Sequence, residues 1–588
     1  ADWTAAAWGE PYEEGELLLR SEQLLVLPDR PTRVALNGLD PDTRYTYGLE
    51  YRNGAGCGRQ ALAQAGHFTT RRARGRPFNV AVLADAHFQD PGAYDPEVFR
   101  ATLGHVRESL GSEGGLDLLF DLGDTFMGGK LAPPLLSAPQ LYTDVAAAYA
   151  PVAASLPVFV ANGNHDGMEG FRIPTKRGLE EQEASDPLNY ARLKNLYFLN
   201  PTADLEVPGG TYAAAGDFEF PSLAADGGPN TYFAAEWGDA LFAVLDPYWY
   251  TRGEPPQKAR DGWAWSLGYQ QYDWLHQTLS QSTAPFKFVF IHALVGGAFE
   301  PERGTKAYSG TGDERYARYF EWGGLGEDGE EAFATRRPGW EHGPVHQMLV
   351  DHGVSAVFRG HDHLWYDGVL DGVHYTTVPK SSVADPLVVD GAMAAEKGYD
   401  PARVSVQSGH VEVRVRSPAE AAVEFVSYRE AGDPLAVTGL GYALSAPSYD
   451  TYAPGGGDPA LARQDDLVMN ILVQADPVGG GGGAAAVAKA VRRLPKGSVT
   501  LRQERAQLVY GLVAFPAERA PAAAAGEGEE EEEGGEDLLA PVLEYTAPDG
   551  ERYFSVGHNV TKFARFLEYR LGRAPPAAAA GEGGGGGG

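Results

Sequence analysis

Aspartate, asparagine and histidine collect in this chain at the ends of short apolar runs. The run Pro157-Val158-Phe159-Val160-Ala161 stops at Asn162-Gly163-Asn164-His165-Asp166. Four other runs end in the same way: Phe78 to Ala84 in Asp85-Ala86-His87, Leu116 to Phe120 in Asp121-Leu122-Gly123-Asp124, Phe286 to Ile291 in His292, and Val354 to Phe358 in Arg359-Gly360-His361-Asp362-His363. Runs of this length read as buried strands. In extended backbone a two-residue spacing aims both side chains the same way, so Asp85 pairs with His87 and His361 with His363. Carboxylate, amide oxygen and imidazole together suit Zn, Mn or Fe better than an all-oxygen calcium cage.

Positioning such residues takes strands that end at one edge. Glu97 to Leu110 and Leu141 to Ser155 have helical spacing and separate the first three strand ends, giving the strand–helix alternation of an α/β fold. In such folds ligands bind beyond the strand ends, where the backbone must turn. A later segment adds a hairpin: Leu370-Asp371-Gly372-Val373-His374-Tyr375 carries an Asp-Gly turn. Val404 to Tyr428 reads as closing strands, with Ser408-Gly409-His410 as their turn.

Asp-x-His, Gly-Asp, Gly-Asn-His-Asp, a lone strand-end His and Gly-His-Asp-His, in this order, resemble the motif set of the calcineurin-like metallophosphoesterase superfamily. The resemblance spans about residues 77 to 428, where Thr231 to Asp246 looks like the family's central hairpin. It implies a four-layer α/β (α+β) sandwich of two mixed β-sheets flanked by helices. It also implies that Asp85, His87, Asp124 and His363 hold one metal, and that Asp124, Asn164, His292 and His361 hold a second, with Asp124 bridging. Two divalent ions about 3.5–4 Å apart would bind a phosphoryl oxygen and an attacking hydroxide. His165 would stand near the leaving-group oxygen as proton donor or charge stabiliser. The implied activity is hydrolysis of a small-molecule phosphate ester, monoester ahead of diester. Purple acid phosphatases, within this superfamily, have a tyrosine where this chain has Met127 and a glycine where it has His87, so neither their charge-transfer colour nor a ferric requirement is expected. Ala293 follows His292 where the family often has a second histidine, which removes one expected phosphate contact.

Residues 1–72 show short alternating runs broken by Pro, Gly, Asp and Asn, the pattern of a small all-β sandwich preceding the catalytic domain. Gly38 to Tyr45 resembles a fibronectin type III turn, a module that purple acid phosphatases also carry. Arg71 to Arg76 reads as a solvated basic link. Two long aromatic insertions, Pro247 to Gly268 and Glu300 to His342, read either as pocket walls, with Arg336 or Arg337 reaching a phosphate, or as a satellite core. Residues 429–588 form a C-terminal extension with Gly/Ala/Glu-rich tracts at Gly479 to Ala486, Ala520 to Asp537 and Ala574 to Gly588. Outside the five motifs, His67, His105, His276, His352, His374, His410 and His558 read as ordinary structural histidines. His342 and His346 are kept as substrate-pocket candidates.

The formal charge of −32 argues against a nucleic-acid partner or an anionic membrane face. No apolar run is long enough to span a bilayer. Cys57, the single cysteine, excludes an internal disulfide. The start at Ala1 fits a removed export signal, so a secreted, periplasmic or extracellular location is the expectation. A reading of a different class, a secreted binding or scaffold protein with an inert core, is disfavoured because every motif position retains its functional residue.

Overall fold

The computed structural model describes residues 31–36, 39–53, 60–90, 93–110, 115–127, 134–170, 187–198, 200, 231–251, 261–297, 311–383, 394–395, 397–428 and 435–446, with isolated strands on either side. Five strands come first: β1 Leu19–Arg20, β2 Leu24–Val26, β3 Thr32–Leu36, β4 Arg44–Asn53 and β5 Gln60–Thr69. The centre opens with β6 Phe78–Leu83, α1 Pro96–Leu110, β7 Leu116–Asp121, α2 Pro134–Ala153, β8 Val158–Val160 and α3 Pro187–Tyr197. It continues through β9 Phe233–Trp237, β10 Ala240–Leu245, α4 Tyr269–Gln281, β11 Phe286–Ile291, α5 Phe320–Gly323, α6 Phe333–Arg336 and α7 Val345–Asp351. The remaining strands are β12 Ala356–Arg359, β13 Tyr366–Leu370, β14 Val373–Thr377, β15 Gly409–Ser417, β16 Glu420–Tyr428 and β17 Leu435–Ser445. Beyond them lie β18 Leu467–Ile471, β19 Ser498–Arg505, β20 Gln507–Pro516, β21 Leu539–Thr546 and β22 Arg552–Val556.

Two six-stranded mixed sheets form the centre, ordered β17-β16-β15-β6-β7-β8 and β13-β14-β12-β11-β10-β9. Strands β6, β7 and β8 are parallel, as are β11 and β12, so the motif-bearing ends share an edge within each sheet. The sheets face each other across a phenylalanine-rich layer. Phe120 lies 4.6 Å from Phe290 and 5.3 Å from Phe242 between ring centroids, and Val80, Val82, Val411 and Val413 complete the packing. Alternate residues of β6 and β7, such as Ala81, Leu83 and Leu119, point the other way and are covered by Phe99, Leu103 and Val106 of α1 and by Tyr142, Val145 and Tyr149 of α2. On the second sheet, Leu241, Ala243, Val289 and Val357 are covered by Tyr272, Leu275 and Leu279 of α4 and by Met348 and Leu349 of α7. The period-two pattern of each strand thus becomes a four-layer order of helix, sheet, sheet, helix.

Local chemistry explains several boundaries. Asp95 caps α1, its Oδ1 accepting from the Glu97 amide at 2.9 Å, and Pro96 takes the first helical position. Both expected hairpins form, with Asp371 and Gly372 at positive φ between β13 and β14. Ser408-Gly409-His410 is not a turn: Gly409 and His410 begin β15, and the reversal comes between β15 and β16, after Ser417. The first sheet also continues past residue 428, because β17 pairs with β16.

The N-terminal strands are joined by one from far along the chain. β20 lies between β1 and β4, β5 follows β4, and β18 pairs with β3. Tyr45 is buried and its hydroxyl accepts from the Asp40 amide at 2.9 Å. Tyr47 donates to the Ala154 carbonyl at 2.6 Å, tying this sheet to the segment after α2. Arg71 to Arg76 is partly exposed, as a solvated link would be, but it is also tied down, with Arg72 paired to Asp117 and Asp42 and Arg74 paired to Glu236. The three low-complexity tracts lie outside the described residues. Among the described residues, no helix is long and apolar enough to cross a membrane.

Candidate metal centre

The five motifs converge where the two sheets meet. Asp85, His87 and His363 form one group of ligand-type side chains, and Asp124, His292 and His361 form another, each with ligand atoms within 4.8 Å of one another. Asp124 joins the two groups. Its Oδ2 lies 3.6 Å from His87 Nε2, 3.4 Å from His292 Nε2 and 3.8 Å from His165 Nε2. Its Oδ1 accepts the His165 amide at 2.7 Å, so Oδ2 is the atom facing both groups. Asp85 divides its oxygens similarly: Oδ2 accepts the His361 amide at 2.8 Å, while Oδ1 lies 3.4 Å from His363 Nε2. Asn164 Oδ1 sits 3.2 Å from His292 Nε2.

These residues fit metal ions. Asp85 Oδ1 and both ring nitrogens of His87 are buried without a hydrogen-bond partner, a costly arrangement for an apo cluster and the ordinary one for ligand atoms. His292 Nδ1 lies 2.9 Å from the Leu122 carbonyl; a donor there fixes the tautomer and turns the Nε2 lone pair toward Asp124. Burial works against charge on Asp124, yet the imidazoles of His292, His165 and His87 outweigh it and hold the carboxyl well below the usual range. Burial likewise opposes a charged His292, but Asp124 and Asp85 lift it to about 10, so the pocket calls for positive charge there. His361 and His363 are pushed down to about 4 and about 3, chiefly by burial, which keeps their nitrogens neutral and able to coordinate.

The backbone at these positions is not the extended one that the two-residue spacing assumed; the strands have ended and the ligands sit on left-handed turns. Asp85, His87, Asp124, His361 and His363 have φ of 54°, 48°, 49°, 70° and 62°. A side chain in this left-handed region costs about 1 kcal/mol relative to glycine. The tight turns of the true glycines are equally demanding. A Cβ on Gly163 would strike the Asp124 amide and Oδ1, and one on Gly360 would come within 2.7 Å of Asp85 Oδ2.

Around the ligands lies a layer of buried acceptors that holds the loops. Asp166 Oδ2 accepts from the Gly163 amide at 2.8 Å and the Asp124 amide at 3.0 Å, joining the second and third motifs. Burial, aided by the Asp124 charge, raises its pKa to about 6. Asp362 accepts from the Thr311 amide at 2.8 Å and the Tyr399 hydroxyl at 2.6 Å, fixing the turn between His361 and His363. Tyr248 donates to Asn164 Oδ1 at 3.3 Å. Nothing in the local spacing of Asp166, Asp362 and Tyr248 marks them for these roles. Asp166 was the most findable, because it closes the Gly-Asn-His-Asp motif, whereas Tyr248 was read only as one aromatic in a long insertion.

His165 differs from the other motif imidazoles. Its side chain is 39% exposed, whereas His292 is fully buried, and its ring lies edge-on to His87 at 5.5 Å. The remaining substrate candidates lie in other surroundings. Arg336 pairs with Asp261, and Arg337 binds the buried Glu321 at 2.6 Å and the Trp263 carbonyl at 2.6 Å. Trp263, Trp265, Phe320 and Trp322 belong to the core over the second sheet, so the described part of the insertions is a satellite core. His342 stacks on His276 at 3.5 Å, and His346 bonds Tyr375 and Asp371.

The chain resembles several solved structures at low identity. A purple acid phosphatase from yellow lupin (Lupinus luteus) seeds is 12% identical, covering 72% of this chain and 74% of that one at a TM-score of 0.40. GAP50, the anchor in the inner membrane complex of Plasmodium, is 14% identical, covering 69% of this chain and 99% of its own at 0.35. The phosphopantetheinyl hydrolase of Mycobacterium tuberculosis is 12% identical, covering 52% and 91% at 0.24. No curated protein matches the sequence. Residues 78–364 match the model of the calcineurin-like phosphoesterase family, a span that holds every ligand-type residue of the two groups.

Proposed function

We propose that this protein hydrolyses phosphate esters with divalent ions held in the two adjoining groups, and that its substrates are monoesters. Asp85, His87, Asp124 and His363 would hold one ion, and Asp124, Asn164, His292 and His361 the other. The donor set suits Zn, Mn or Fe. Such ions, when bound, polarise a phosphoryl oxygen and make water acidic enough to supply a nucleophile near neutral pH.

The observation that carries this reading is the meeting of both groups on Asp124 Oδ2 beside a half-exposed imidazole. The protein's own contribution is placement. Asp166 and Asp362 keep the loops in register, so the ligands need not reorganise when substrate arrives. His165, open to solvent on one side, is placed to give a proton to the departing alkoxide or to stabilise its charge. Lys397 donates to the Asp362 carbonyl at 3.1 Å, beside the two motif histidines. It also lies 3.7 Å from Asp362 Oδ1, so its charge is paired within the loop that carries those histidines.

Initial rates on nitrophenyl phosphate and on bis-nitrophenyl phosphate, after reconstitution with Mn or Zn, test the reading. A faster monoester supports it. A faster diester makes the protein a phosphodiesterase on the same residues, and silence on both shifts the reading to one narrowly specific substrate or to a binding protein with an inert core.

A further inference from the structure

A third group of ligand-type side chains lies outside the centre described above. His105 of α1 meets His410 and Glu412 of β15, again with ligand atoms within 4.8 Å of one another. The register explains the meeting. Val411 and Val413 face the layer between the sheets, so His410 and Glu412, one residue out of phase, face the helices. Glu412 pairs across the ladder with Ala81, whose small side chain leaves room under α1.

His410 is fully buried, and neither of its ring nitrogens has a hydrogen-bond partner; His105 Nδ1 also lacks one. A fully buried imidazole is ordinarily hydrogen-bonded, so His410, with only the Glu412 carboxylate at ion-pair range and the half-buried His105 ring beside it, requires a cause. Packing alone does not supply one, because an apolar side chain would fill the same space without orphaned nitrogens. Glu412 is held ready: Arg414 binds its Oε2 at 2.7 Å and reaches Glu424 at 3.2 Å, leaving Oε1 3.6 Å from His410 Nε2. A tetrahedral ion with bonds of about 2.1 Å sets its ligand atoms about 3.4 Å apart. The His410–Glu412 pair already matches that spacing, and a side-chain rotation of His105 closes the third edge. Glu108, a turn further along α1, adds negative charge nearby.

We infer that His105, His410 and Glu412 form a separate mononuclear site for a zinc-class divalent ion, with a fourth position left to water. The site clamps α1 to β15. α1 in turn holds the loop behind Asp85, since Thr102 donates to the Ser381 carbonyl at 3.0 Å and Ser382 donates to the Ala86 carbonyl at 2.6 Å. This role is distinct from hydrolysis and does not depend on it.

The test is zinc content per full-length chain after equilibrium dialysis against micromolar zinc, wild type against His105→Gln. Position 105 is only partly buried, so the variant should fold. The expected result is a loss of one zinc equivalent with nitrophenyl phosphate turnover retained, whatever number the main centre holds. Equal zinc content in the two proteins overturns the inference. Anomalous scattering at the zinc edge from wild-type crystals needs no variant. A peak among the three side chains supports the site. Its absence at saturating zinc leaves only the His410–Glu412 ion pair and overturns the metal.

Discussion

The two central sheets contribute different chemistry to one centre. The first sheet, at the ends of β6, β7 and β8, supplies both carboxylates and the amide, Asp85, Asp124 and Asn164, together with His87 and His165. The second, at the ends of β11 and β12, supplies only imidazoles: His292, His361 and His363. One side carries the carboxylates and the other only imidazoles, and neither has a complete ligand set. Cross-sheet contacts already bring them together, with the His361 amide on Asp85 and the His292 ring on the Leu122 carbonyl. The difference teaches that a bound cation would act as a bolt between two layers as well as a Lewis acid, because each ion would draw ligands from both.

That contrast can be broken experimentally. The largest effect is expected from Asp124→Asn, which keeps the shape but removes the charge that faces both groups. Turnover should fall to background and metal content should drop, measured together; retention of both would show that the centre is not built around this carboxylate. Next comes His165→Ala, which takes away a first-sheet imidazole assigned no metal. Turnover should fall by about 10²–10³-fold, the size of losing one transition-state donor, with metal content unchanged. A loss of metal instead would make His165 a ligand.

Chelation should silence turnover as Asp124→Asn does, and beside that it should have a smaller effect on stability. A metal present at 100 times its dissociation constant stabilises by about 2.7 kcal/mol per site. Its removal should lower Tm and speed amide exchange at the ends of β7 and β11 together. Exchange that rises in only one sheet would contradict the bolt.

The smallest effect lies outside the seam. His67 of β5 sits against Ser155, with its amide 3.3 Å from the Ser155 hydroxyl. Burial, then the charge of Arg44, pushes its pKa down to about 4. Its neutral form is therefore favoured in the folded chain. The contribution is complete above the unfolded value of about 6.5 and is lost as pH falls through the folded value. Protection of β5, corrected for intrinsic exchange, should decline over that window and do so less in His67→Gln. Metal content should be the same in both proteins.

Much of this was legible because chemistry and local pattern coincide. Asp85 with His87, and His361 with His363, are two-residue repeats at the ends of apolar runs, and the fold needs only to bring those ends to one edge. The arginines show where local pattern stops. Arg336 and Arg337 lie in an aromatic insertion as a phosphate clamp might, but their partners are Asp261 and Glu321, which no short-range spacing reveals. His105 was passed over for the same reason: its neighbours lie on β15, far along the chain. His410 and Glu412 share a face by simple alternation, but reading 408–410 as a turn hid it. The pairing of β20 with β4 was equally invisible, since strand partners separated by most of the chain leave no mark in either segment.

The left-handed backbone at Asp85, His87, Asp124, His361 and His363 sets stability against activity in this chain. Glycine at any of the five would relax the backbone and delete a ligand in one step. A screen for thermostability alone would therefore be expected to recover inactive proteins at these sites, and a stabilising library should hold the five fixed. The same logic bears on history. In a lineage released from hydrolysis, nothing would oppose drift toward glycine or asparagine at these positions.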